Sequence, residues 1–223
     1  MRTLEERYKD VLEDVAAAAR DSGRDPTAIT TIVVTKFHPA ALVRQLAALG
    51  ARDLGENRHQ EAAAKAADTA DLGLTWHFIG QLQSNKAAAV LEYASVIHSV
   101  DRLSLVDALG KAASGAEVFI QLNLTEDPGR GGVQEAKLAE LAERVLSAPN
   151  LTLRGLMAVA PLGQAPRGAF ARVRAASVRL QSIAPGATDL SMGMSGDYRD
   201  AILEGATHLR IGTAITGNRP PQG

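Results

Sequence analysis

The chain has 223 residues, with 24 Lys plus Arg against 25 Asp plus Glu, a balance that exerts no global pull on nucleic acid or an anionic membrane. It has no cysteine, which excludes a disulfide framework, a thiolate metal site and a thiol nucleophile. The opening MRTLEERYKD lacks an apolar signal core, and no run approaches the roughly 18 consecutive apolar residues of a membrane span, so a cytoplasmic setting is expected.

The first element is an amphipathic helix within residues 1–22. Leu4, Tyr8, Val11, Leu12 and Val15 recur at helical spacing, Thr3 and Glu6 fit a capping box, and Asp21–Gly23 ends the helix. A single rhythm follows. Short apolar runs stand at 31–35, 51–55, 76–80, 95–99, 117–124, 151–159, 188–192 and 207–212. Seven alanine- and leucine-rich segments of helical periodicity separate them, several with glycine just past the end. Strand and helix in alternation predict parallel strands joined by crossover helices. Eight such units in about 200–250 residues fit a single-domain α/β (β/α)₈ TIM barrel spanning 1–223, with a doubly wound open sheet as the alternative. The tail 218–223, NRPPQG, is expected to be frayed and without function.

In a (β/α)₈ barrel the chemistry sits at the C-terminal ends of the strands, and phosphate is commonly gripped by the loops after strands seven and eight. Here those loops read SMGMSGD (191–197) and RIGTAITG (210–217). Their glycines let backbone N–H groups approach an anion, so Ser195, Gly212 and Thr213 are candidates for a phosphate cup. Ordinary loop glycines and a capping serine are the plainer reading. Lys36 follows the first run, which neighbours the eighth in a closed barrel. Burial and a nearby cation would lower the pKa of its amine and make it a nucleophile toward carbonyls. An amine beside a phosphate cup suits a phosphorylated aldehyde, either pyridoxal 5′-phosphate (PLP) or a sugar phosphate. Arg210 stands two residues before Gly212, so both face one side of the strand. It either meets a PLP ring nitrogen from the barrel interior or pairs with an inward carboxylate such as Glu56.

Other signals lead nowhere. GMSGD lacks the last glycine of a nucleophile elbow, since Asp197 stands there and reads as a first-turn helix acid. The five histidines show no i, i+4 pair, so no metal site is expected. Trp76 reads as a packing residue.

The stretches TKFHPA, GENRHQE, WHFIGQLQSNK, HSVDR, GLMAVAP and LSMGMSGDYRDAILEGATHLRIGTAITGNR occur in this order over nearly the whole chain. Together they resemble the PLP homeostasis proteins, a family related in fold to the barrel domain of alanine racemase. The resemblance implies that Lys36 holds PLP covalently and that Arg210 faces the pyridine nitrogen. It implies that Ser195, Gly212 and Thr213 bind the phosphate with Ser191 and Met192 nearby, and that Asn57 and His77 line the same pocket. It further implies a protein that buffers or carries PLP in vitamin B6 homeostasis, affects amino-acid and keto-acid pools, and hands PLP to apo-enzymes, with no catalytic residues assigned; a monomer is expected. The alternative is a weak PLP-dependent racemase. Racemisation needs acid–base groups on both faces of the substrate. Alanine racemases draw the opposing tyrosine from a second domain. Of Tyr8, Tyr93 and Tyr198, only Tyr198 is placed to approach the site. A Schiff-base aldolase acting on a sugar phosphate would share the lysine and the cup, but has no use for Arg210.

Overall fold

A computed structural model describes residues 2–127 and 129–218. Residues 219–223 of the expected tail lie outside the described residues. The leading helix α1 (Leu4–Asp21) forms as its sequence pattern predicts. Thr3 Oγ1 accepts from the Glu6 N–H and Glu6 returns the bond to the Thr3 N–H, closing the capping box. Tyr8, Val11, Val15, Ala18 and Ala19 form its buried face.

Eight strands follow: β1 (Thr30–Val34), β2 (Asp53–Glu56), β3 (Thr75–Phe78), β4 (Val96–Val100), β5 (Ala116–Leu122), β6 (Leu151–Ala158), β7 (Asp189–Ser191) and β8 (His208–Ile211). Each pairs in parallel with the next, and β1 closes on β8 with Ile32 opposite Arg210 and Val33 opposite Ile211. This closure settles the barrel against the open sheet. The crossover helices are α2 (Ala40–Ala48), α3 (His59–Asp68), α4 (Ala87–Val90), α5 (Leu103–Gly110), α6 (Leu138–Leu146), α7 (Pro166–Gln181) and α8 (Tyr198–Leu203). A one-turn helix, α9 (Thr213–Thr216), follows β8. The segment QSNKAAAVLEYA yields less helix than its composition suggests. Its first residues form a tight 3₁₀ turn at Ser84–Lys86, and the chain peels away after Val90, with Tyr93 and Ala94 both donating to the Val90 carbonyl. Among the described residues no helix is long and apolar enough to cross a membrane.

Alternation along each strand divides the buried residues into two layers. Val33, Leu54, Trp76, Phe78, Ile97, Val118, Ile120, Leu156, Leu190, Leu209 and Ile211 belong to one continuous core with the helices. Trp76 is a packing residue there, as expected. The other face points into the barrel. Such interiors are usually filled by branched aliphatic side chains. Here a small apolar cluster, Val96, Phe119 and Met157, shares the space with His77, His98, Ser191 and Arg210, all buried.

Glycine is required just past the ends of β2 and β3, where the two segments still run close together. A Cβ on Gly80 would lie 2.2 Å from the Asn57 carbonyl oxygen, so only a residue without a side chain lets the two segments pass.

Candidate functional site at the barrel mouth

The C-terminal end of β1 is built by a buried clamp. Thr35, the last buried residue before the turn, donates from Oγ1 to Glu56 Oε1 at 2.7 Å, and its carbonyl accepts from Lys65 Nζ at 2.8 Å. Lys65 in turn pairs with Glu56 Oε1. Glu56 therefore does not pair with Arg210, which removes the plainer reading of that arginine. Beyond Thr35 the chain reverses. Phe37 adopts a left-handed backbone with φ of 68° and donates its N–H to Glu61, and the His38 N–H returns to the Thr35 carbonyl. A non-glycine residue in this region costs about 1–3 kcal/mol, a strain held here by hydrogen bonds on both sides of Lys36.

Lys36 itself is exposed, with Nζ 5.9 Å from the centre of the Phe37 ring. The expectation of an amine buried in a closed cavity is not met. The clamp consumes the buried space at Thr35, and the turn that begins at Lys36 carries the lysine side chain onto the rim. Its position at the mouth holds, because the Cβ direction of Gly212 lies 3.6 Å from Val34 Cβ, two residues before the lysine.

The loops after β7 and β8 are tied together. Ser195 Oγ accepts from the Ala214 N–H of α9 at 3.2 Å, and the Arg210 N–H donates to the Gly193 carbonyl at 2.9 Å. Gly193 has φ of 94° and packs against α8 and Leu209, so the bend needs glycine for both its conformation and its space. Asp197 precedes α8 as its N-cap instead of standing in its first turn, and its carboxylate accepts from the Met194 N–H at 2.6 Å. The phosphate candidates Ser195, Gly212 and Thr213 thus share one end of the barrel with Lys36. Met192 does so only through its backbone, since its side chain is wholly buried in the outer core layer.

Arg210 enters the barrel below these loops. Its Nη1 donates to the Ser191 carbonyl at 2.6 Å and to Ser191 Oγ at 2.7 Å, and Nη2 donates to the Ala158 carbonyl at 2.9 Å. Among the described residues no carboxylate is within ion-pair distance of it. Burial pushes its pKa down to about 10, partly opposed by Asp197, so it remains cationic at neutral pH.

Two further candidates separate. Asn57, at the end of β2, lies at the mouth beside a groove of about 430 Å³ lined by Arg58, Glu61, Phe78 and Gln81, and its Oδ1 is buried without a hydrogen-bond partner. His77 does not line the mouth. Both its ring nitrogens are engaged inside the barrel, with His98 and with Asp53 at the N-terminal end of β2. Tyr198 is also turned away, because its hydroxyl donates to Asp14 of α1. Lys65 and His98 carry no role in the sequence pattern, and Glu56 enters there only as a partner for Arg210. Lys65 shares the buried face of α3 with Ala62 and Ala66, a charge on an apolar stripe that helical spacing alone could have flagged.

A lysine on the rim, two backbone loops joined by a serine and a buried guanidinium with no carboxylate form a donor set suited to a phosphorylated ring carrying an aldehyde and an unprotonated nitrogen. Residues 16–220 match the family model for the alanine racemase N-terminal domain. The PLP homeostasis protein of Pseudomonas aeruginosa is 43% identical, over 98% of this chain and 97% of that protein. Its Escherichia coli K12 counterpart is 37% identical over 98% of both. The chain belongs to the pyridoxal phosphate homeostasis protein family. PipY of Synechococcus elongatus, solved with PLP bound, is 38% identical with a TM-score of 0.80, covering 92% of this chain and 100% of PipY. Alanine racemase of Corynebacterium glutamicum, at 16% identity and a TM-score of 0.71 over 96% of this chain and 62% of the racemase, shares the fold alone.

Proposed function

We propose that this protein binds PLP at the C-terminal mouth of the barrel and buffers or carries it in vitamin B6 homeostasis, so influencing amino-acid and keto-acid pools. The observation that carries the reading is Arg210, a buried cation whose guanidinium, among the described residues, donates to Ser191 and Ala158 and meets no carboxylate. Facing a pyridine nitrogen, such a cation keeps the nitrogen unprotonated and weakens the ring as an electron sink. PLP when bound would supply an aldehyde for Lys36 and a phosphate for the backbone of the loops containing Ser195, Gly212 and Thr213. Ser191 orients Arg210, Met192 contributes backbone, and Asn57 offers its unpartnered Oδ1 at the rim. His77 supports the pocket from below and does not touch the ligand. An exposed Lys36 suits loading and release better than a sealed catalytic site.

The second reading, a racemase, lacks a partner for the lysine. The nearest candidate, Tyr198, is bound to Asp14. Loss of one proton-transfer group costs about 10²–10⁴ in rate. We further read residues 1–223 as one barrel domain acting as a cytoplasmic monomer, with apo PLP-dependent enzymes as recipients.

The test is PLP titration followed by borohydride reduction and mass spectrometry. The adduct is expected on Lys36, and an adduct only on another lysine overturns the site. PLP delivery to an apo-enzyme, compared with free PLP at equal concentration, tests the carrier role. Amino-acid racemisation at an ordinary enzymatic rate of about 1–10³ per second would overturn it.

A further inference from the structure

Five side chains cross the barrel interior in one hydrogen-bonded line. Asp53, partly exposed at the N-terminal end, places Oδ1 3.0 Å from His77 Nε2. His77 Nδ1 lies 2.9 Å from His98 Nε2, and His98 Nδ1 lies 2.7 Å from Ser191 Oγ. Ser191 Oγ accepts from Arg210 at 2.7 Å.

The two ends set the direction of the protons. A guanidinium only donates, so Ser191 Oγ accepts from it and has its own hydrogen to give. A carboxylate only accepts, so His77 carries a hydrogen on Nε2. Burial first, then His77 and Arg210, hold His98 well below the usual imidazole range, so it is neutral. Two arrangements then join the ends. In one, both imidazoles carry a single proton on Nε2 and every donor points from Arg210 toward Asp53. In the other, His98 carries its proton on Nδ1, His77 is an imidazolium, and the Ser191 hydrogen has no acceptor in the line. The first satisfies each polar atom and adds no second cation to the interior.

We infer that His98 is a positioning residue for Arg210: as the Nε2–H tautomer it orients the Ser191 hydroxyl and, through His77, links the buried guanidinium to the Asp53 carboxylate. The inference rests on the reading of Arg210 as the group facing the PLP ring nitrogen. Around His98 stand His77 from β3, Ser191 from β7, Arg210 and His208 from β8, and Phe119 of β5, whose ring stacks at 4.5 Å. Asp53, and Asp189 paired with Arg154, are the nearby charges toward the N-terminal end.

The first measurement needs no PLP. Two-bond proton–nitrogen correlation spectra of the full-length, histidine-labelled protein at pH 7 are expected to show His77 and His98 as Nε2–H tautomers. Asp53→Leu, which removes the terminal acceptor, is expected to shift the His98 tautomer two hydrogen bonds away. A His98 proton on Nδ1, or a His98 tautomer that ignores Asp53→Leu, overturns the relay. The second measurement is PLP binding. His98→Phe keeps the stacking on Phe119 and removes both ring nitrogens. It is expected to weaken PLP binding about fivefold, the worth of one hydrogen bond. The absorbance of bound PLP should also gain a dependence on pH that the wild type lacks. His98→Gln, able to accept from Ser191 and donate to His77, should restore both. If His98→Phe binds PLP with wild-type affinity and spectrum, the positioning role is wrong. Ser191→Ala carries the same test should His98→Phe fail to fold. A wild-type chain that takes up no PLP overturns the reading of the mouth, and the tautomer measurement then decides the relay by itself.

Discussion

Lys65 Nζ lies 2.5 Å from Glu56 Oε1, with the two side chains 8% and 1% exposed. Both groups also hold Thr35, the residue before Lys36. A buried ion pair adds little net stability, but removing one partner strands the other charge, at a cost of about 3–5 kcal/mol. Lys65→Met is therefore expected to lower the unfolding free energy by about that amount and to loosen the turn that presents Lys36. Adding Glu56→Leu should recover most of the loss. Denaturant midpoints for the two variants check this, and a double variant no more stable than Lys65→Met would show that the stranded carboxylate is not the cause.

Lys36 separates binding from stability. Its side chain is exposed and away from the core, and surface substitutions of that kind stay within about 0.5 kcal/mol. Lys36→Ala is expected to melt as the wild type does and to form no reducible PLP adduct. Thermal denaturation and mass spectrometry after reduction read the two effects separately.

His208 predicts an acid-sensitive barrel. Burial pushes its pKa down to about 4 from an ordinary 6.5, with Asp189 opposing. Between those values the unfolded chain binds the proton that the folded chain excludes, so stability is complete above pH 6.5 and falls as the pH drops toward 4. The loss is on the order of 2–3 kcal/mol. Urea unfolding at pH 7 and pH 4.5 should show it, and His208→Gln should flatten the difference.

Gly80→Ala tests the close approach of the segments that follow β2 and β3. The added carbon would meet the Asn57 carbonyl at 2.2 Å, a backbone atom that cannot rotate away. Overpacking of this kind costs about 1–3 kcal/mol, occasionally more. Asn57 would also shift at the rim, so the variant should lose both melting temperature and PLP affinity. An unchanged melting temperature would mean that the two segments can separate freely.

Much of the barrel was legible because each strand is an apolar run and each helix a periodic one. All eight runs became strands, each bounded within a residue or two of its run, and the capping box of α1 formed between the two residues named for it. The closing pair, β1 with β8, follows from the count of units. Local pattern sufficed there because it reports which faces must leave water. The placement of Lys36 near Gly212 was legible for the same reason, through strand order.

What escaped depends on which inward side chains meet. Nothing in the spacing of Asp53, His77, His98, Ser191 and Arg210 sets them in a line, since they come from five strands and touch only after the sheet has closed. Nor could the sequence say whether Glu56 answers Arg210 or Lys65. Both are inward or buried cations, and only packing settled that the shorter reach belongs to the lysine of α3. The sequence by itself determined the eightfold alternation and, through strand order, which strand ends and loops share one end of the barrel, because burial patterns are local. The exposure of Lys36, the lack of a carboxylate beside Arg210 among the described residues and the line of hydrogen-bonded side chains inside the barrel were decided by tertiary structure, because hydrogen bonds and ion pairs between strands depend on distances that no single segment contains.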